Sequence, residues 1–94
     1  MSDLQKKIVW RDKKYTDWVK SLDCCVCGAP ADDAHHIIGV GNFGGMGTKA
    51  PDMMTMPMCR GHHNDIHTNP DIWGQQWEWA ARTLAMAFAE GVLV

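Results

Sequence analysis

The sequence predicts an α+β fold: a small zinc-stabilised module over residues 24–67, with a helix before it (about 12–22) and a helix after it (about 71–90). Three observations predict this. All four cysteines and all five histidines fall between Cys24 and His67. They include two knuckle-like pairs, Cys24-x2-Cys27 and Cys59-x2-His62, with the doublet His35-His36 between them. Outside that stretch, apolar residues recur at helical spacing on both sides.

The 94 residues suffice for one lean domain, residues 1–94. A core this small commonly needs a metal or a disulfide. The opening MSDLQKKIVW has no apolar run of signal-peptide type, so a cytoplasmic, reducing setting is expected, with thiolates on zinc rather than in disulfides. No apolar stretch approaches the roughly 20 residues that span a bilayer, so no membrane insertion is expected. The net charge of −2 argues against a generic nucleic-acid binder. Its distribution is uneven: Lys6, Lys7, Arg11, Lys13, Lys14 and Lys20 face only Asp3, Asp12 and Asp17 in the first twenty residues. That patch either meets phosphates or is a solvated helix face.

Residues 2–11 read as a lead-in or, around Ile8, Val9 and Trp10, as an edge strand. Asp12 is placed to cap a helix whose Tyr15, Trp18, Val19 and Leu22 share one packing face. Asp23 to Pro30 is the first knuckle, where Gly28 permits the sharp turn two converging thiolates need. Cys24 with Cys27 has the usual spacing, which leaves Cys25 as a small buried residue. Ala34 to Ile38 reads as a strand, so His35 and His36 point to opposite faces and take different roles. Gly39 to Gly47 is too glycine-rich for a regular element and lacks the Gly-Lys-Ser/Thr of a phosphate loop. It is either a loop near substrate or a connector. Lys49 to Asp52 is a turn, and Met53 to Met58, interrupted by Pro57, is an edge strand or irregular segment. Its methionines read as core filling rather than copper ligands. A helix from His63 carries His63 and His67 at i and i+4 on one face, and Asn69-Pro70 ends it. In the last helix, from Asp71 to Glu90 with Gly91 as its stop, Trp73, Trp77, Ala80, Ala81, Leu84 and Phe88 form an apolar stripe. Trp79, Met86 and Val92 add apolar area beyond it. This helix either packs across the module or offers a surface for a homodimer or another partner.

Cys24, Cys27, Cys59 and His62 make up a set of three cysteines and one histidine, enough to close a tetrahedral structural zinc site. The histidines left over, two on a strand and two at helical spacing, exceed what a core of this size uses. Together they point to a second divalent cation with an open position, and imidazole suits several such ions. A free imidazole beside such a cation can hydrolyse a phosphodiester.

The order Cys-x2-Cys, His-His-Ile, a Gly-rich stretch and Cys-x2-His-His-x3-His resembles the HNH (ββα-metal, treble-clef-like) nuclease family. The stretch GVGNFGGMGTKAPDMMTMPMCRGHHNDIH is similar to its phage-derived, Ref-like group. The resemblance covers about half the chain. It implies a metal-dependent DNA endonuclease, with His36 as general base and His35, His63 and His67 as ligands of a catalytic Mg2+, Mn2+, Ni2+ or Zn2+. The family's middle Asn matches either Asn42 or Asp52. Where many members have a second Cys-x2-Cys, this chain has Cys59-x2-His62, which leaves open which of His62 and His63 serves which metal. Arg60, Lys49 and the basic N-terminal cluster are the candidate phosphate contacts. No base-reading helix is evident, so little sequence preference is expected. DNA presented on a recombinase filament is the partner the Ref-like group implies. The alternative reading is a zinc-stabilised DNA- or protein-binding module with a vestigial catalytic site.

Overall fold

Three α-helices and a two-stranded sheet appear in the computed structural model, which describes residues 10–40 and 49–93. The Asp12 carboxylate accepts from the Tyr15 N–H and caps α1 (Lys13–Lys20). The helix stops two residues short of Leu22 because its last turn tightens. Ser21 and Leu22 N–H groups reach back only three residues, to Trp18 and Val19 at 3.0 and 3.1 Å. The first knuckle then closes on itself: Asp23 and Pro30 bridge, Cys24 N–H bonds Ala29 O at 2.6 Å, and Gly28 takes φ 80°.

Strand β1 (Asp33–His36) pairs antiparallel with β2 (Thr55–Met58), with His35 opposite Met56 and His36 opposite Thr55. The expected strand to Ile38 is shorter, and the Met53 to Met58 run splits into a 3-10 turn (Asp52–Met54) followed by β2. Proline fits inside β2 for a local reason. Pro57 turns its carbonyl away from β1 to accept Cys25 N–H at 2.9 Å, so its missing N–H removes no bond between the strands.

Helix α2 (Arg60–Thr68) starts three residues earlier than the expected His63, with Cys59 at its N-cap. The Cys59 side chain makes no cap bond. Instead, the Asp32 carboxylate, arriving from just before β1, accepts the Arg60 N–H at 2.8 Å. The second knuckle therefore lies on the first helical turn.

The single last helix expected from Asp71 is two elements: a 3-10 turn (Pro70–Gln75) and α3 (Gln76–Ala89). Gly91, at φ 75°, ends α3. The expected apolar stripe is also rotated. The buried face of α3 is Gln76, Trp79, Ala80, Thr83 and Ala87, whereas Ala81 is exposed and Trp77 and Phe88 are 44% and 60% exposed. Gln76 and Thr83 can lie inside because their polar atoms are paired, Thr83 with Trp79 O at 2.8 Å.

The core has two parts, and α3 joins them. Ile37, Ala50, Met56, Met58, Ile66, Trp79 and Ala80 pack beneath the sheet. Tyr15, Val19 and Ala87 seal α1 against the far end of α3. Among the described residues, no helix is long and apolar enough to cross a membrane.

Gly39 has φ 71°, and a Cβ there would run into the Trp73 ring. That ring is pinned by its Nε1–H bond to Ile66 O at 2.7 Å. Gly39→Ala is therefore expected to destabilise the chain by about 2 kcal/mol or more, from left-handed strain plus overpacking. Urea unfolding measures this, and a midpoint equal to the parent's would contradict it.

Candidate functional site

The first turn of α2 feeds two clusters at once. Successive residues on a helix point about 100° apart, so His62 and His63 face different neighbours. His62 joins Cys24, Cys27 and Cys59, and His63 joins His35 and His67. In each group, the donor atoms lie within 4.8 Å of one another.

In the sulfur cluster, Cys27 Sγ is 3.9 Å from Cys59 Sγ. His62 Nδ1 is 3.3 Å from Cys59 Sγ and 3.8 Å from Cys24 Sγ. A tetrahedral ion with bonds of about 2.3 Å to sulfur spaces its sulfur ligands roughly 3.8 Å apart. The donor set thus has the size and chemistry to hold a metal ion, and zinc suits it. Burial opposes the Cys24 thiolate, but backbone N–H bonds at Cys59, Cys27 and Val26 outweigh it and bring the thiol down to about 6. Cys25 takes no part. It packs against the larger core, and burial pushes its thiol up to about 12.

In the imidazole cluster, ring centroids are 4.9 Å apart for His35–His63 and His63–His67, and 5.3 Å for His35–His67. Burial lowers the His35 pKa to about 4 and also lowers that of His67. A lowered pKa keeps the His35 and His67 rings neutral, with a lone pair to offer, and the donor atoms of all three histidines are close enough to hold a metal ion. Asp33 Oδ2 accepts from His63 Nδ1 at 2.9 Å, which leaves Nε2 as the nitrogen with a lone pair.

His36 projects from the other face of β1, half-buried, with Nε2 2.7 Å from Asp52 Oδ1. Asp52 also accepts Asp12 N–H at 2.7 Å and the Arg11 guanidinium at 3.4 Å. Burial raises the Asp52 pKa, but the His36 and Asp12 bonds outweigh this and hold it below the usual carboxylate range. An ionised carboxylate only accepts, so His36 Nε2 carries the proton, and Nδ1 has no hydrogen-bond partner among the described residues. Burial lowers the His36 pKa against the pull of Asp52. Asp52→Ala should cost about 1–3 kcal/mol in urea unfolding, because it strips partners from His36, Arg11 and the Asp12 N–H. A loss below a few tenths would show that this network contributes little.

A cavity of about 220 Å3 has His35, His36, His63 and His67 in its walls, so the two faces of the doublet open on one space. Beside it lies a cleft of about 480 Å3, where Arg11, Lys13, Lys20 and Lys49 surround His36. Part of the basic cluster in the first twenty residues therefore borders the histidines instead of forming only a solvated face. Lys13 is also paired with Asp17 at 2.7 Å. Arg60 is not in the wall of either space. Its Nε bonds Asp33 at 3.1 Å and its side chain is largely exposed. Lys6, Lys7, Asn42 and most of the Gly39 to Gly47 loop lie outside the described residues.

Sequence reasoning missed Asp33, Arg11 as a partner of Asp52, and Gln76. Only Asp33 left a signal, as a carboxylate two residues before a histidine doublet.

Residues 3–91 match a family model described as "Protein of unknown function (DUF968)". The uncharacterized protein YdfU of Escherichia coli (strain K12) is 50% identical over 94 residues, covering 96% of this chain and 27% of YdfU. The chain thus spans about a quarter of the length of that relative. No solved structure matches it.

Proposed function

The chain belongs to the DUF968 family, whose function is unknown, and on that premise we propose that it is a metal-dependent DNA endonuclease of the HNH (ββα-metal) type. One observation carries the reading: His36 lines the same cavity as His35, His63 and His67, whose donor nitrogens lie close enough together to hold a metal ion.

In this reading, Asp52 holds His36 so that Nδ1 faces a water molecule. As the water oxygen bonds to phosphorus, Nδ1 takes its proton and the bond to the leaving oxygen breaks. His35, His63 and His67 would hold a divalent ion, which when bound would supply charge neutralisation at the scissile phosphate and the leaving oxygen. Mg2+, Mn2+, Ni2+ and Zn2+ are the candidates, and three imidazoles favour the later transition ions over Mg2+. Lys49, Arg11, Lys13 and Lys20 hold flanking phosphates, and Arg60 offers a more distant contact. Asp52, rather than Asn42, takes the place of the family's middle Asn. Phosphate contacts carry no base information, so sequence preference is low. DNA on a recombinase filament is the substrate setting we propose.

The test is nicking of supercoiled plasmid by the zinc-loaded chain with each of the four metals, beside His36→Ala. Cutting that needs an added divalent ion and His36 supports the endonuclease. DNA retention without cutting under any metal would replace it with a zinc-stabilised binding module.

A further inference from the structure

Gln76 is fully buried, an unusual place for an amide in the first turn of a helix packed on a small core. All its hydrogen-bonding groups are used. Nε2 donates to Ile38 O at 2.7 Å and to Trp73 O at 2.9 Å, and Oε1 accepts Ile38 N–H at 2.9 Å. The remaining partner of Oε1 is His35 Nε2, at 3.0 Å. The reverse orientation of the amide would set its oxygen against two carbonyls and its NH2 against a backbone N–H, so the network admits one orientation.

We infer that Gln76 is a positioning residue: its Oε1 holds the proton of His35 on Nε2 and so presents Nδ1 to the cation that His35, His63 and His67 share. The inference rests on the second-cation reading above. An oxygen that only accepts can pair with His35 Nε2 only if that nitrogen carries hydrogen. A neutral imidazole has one such hydrogen, so the lone pair is on Nδ1. On the opposite side, Asp33 makes the reverse choice for His63, fixing Nδ1–H and freeing Nε2. The site thus combines a strand histidine bound through Nδ1 with a helix histidine bound through Nε2. Each is set by a different partner, one neutral and one anionic. A buried ring in the wrong tautomer would present a hydrogen to the ion and would have to break its amide bond to rotate.

The experiment uses the zinc-loaded chain. Two-dimensional 15N NMR reads the His35 tautomer, and calorimetric Ni2+ titration reads the second site while zinc release is monitored. The parent chain should show Nε2–H on His35. Gln76→Met, which removes the acceptor at similar volume, should lose that single tautomer and weaken Ni2+ binding about 10- to 100-fold, with zinc content and circular dichroism unchanged. Nδ1–H on His35 in the parent overturns the inference, as does a folded Gln76→Met that binds Ni2+ within about threefold of the parent. A parent chain that takes up no Ni2+ overturns the second-cation reading itself, a result distinct from a variant that merely binds as well. Should Gln76→Met not fold, the parent decides: filling the second site with diamagnetic Cd2+ should shift the His35 Nδ1 resonance and leave Nε2–H in place, and loss of Nε2–H with a shift at Nε2 overturns the inference.

Discussion

A strong chelator in excess is expected to unfold the zinc-loaded chain, with loss of helical circular dichroism and a red shift of tryptophan emission. The sulfur cluster ties together three segments: the knuckle at Cys24 and Cys27, Cys59 just after β2, and the first turn of α2 at His62. The cores on either side are thin, and among the described residues the smaller has only Tyr15, Val19 and Ala87 fully inside. Structural zinc sites contribute about 10–16 kcal/mol of apparent binding energy in peptides that fold around the ion, as much as the whole stability of an ordinary domain. Removing one ligand should act in the same direction. Cys59→Ser is expected to lower zinc affinity by orders of magnitude and to melt the chain well below the parent's midpoint. Cys25→Ser is the control. That thiol packs against the core and binds nothing, so it should cost only about 1 kcal/mol and leave the zinc content at one per chain. Retention of full helicity and an unchanged midpoint after zinc removal would show that the cluster is not what holds these segments.

His36→Ala is expected to abolish plasmid nicking, by about 100- to 10,000-fold, the usual contribution of a positioned general base. Neither the zinc content nor the Ni2+ affinity should move, because His36 belongs to neither donor group. The fold should survive, since Asp52 keeps its bonds from Arg11 and the Asp12 N–H when the imidazole is gone. Asp52→Asn should be milder. The amide can still accept from Nε2–H but no longer stabilises the imidazolium that forms as the water gives up its proton. A two-way comparison is decisive: nicking lost with both metals still bound places the defect in proton transfer. Equal nicking by parent and His36→Ala would remove the imidazole from the reaction altogether.

Several features were legible in the residues alone, because they depend on short-range geometry. Asp12 caps α1, Gly28 and Gly91 turn the chain at positive φ, and Asn69-Pro70 closes α2. The period-two strand separates His35 from His36, one toward the imidazole cluster and the other toward Asp52. The two-residue spacing of Cys24 with Cys27 and of Cys59 with His62, and the i, i+4 spacing of His63 with His67, bring the side chains of each pair close together with little regard to the rest of the fold.

Other features depended on partners far along the chain. Whether His62 or His63 meets the sulfurs follows from where α2 begins, and that is set by Asp32, 28 residues before Arg60. The buried side of α3 was mistaken because apolar periodicity is blind to hydrogen bonding. Gln76 and Thr83 lie inside once Ile38, Trp73, His35 and Trp79 satisfy them, while the larger Trp77 and Phe88 remain outside. Arg11 acquires a role only because folding brings the N-terminal segment against Lys49, Ala50 and Asp52, about 40 positions away. Spacing along the chain decided which residues can bind a metal. The hydrogen-bond partners of His35, His36 and His63 and the cleft's basic wall required contacts whose partners are remote in sequence, and a linear pattern does not encode those.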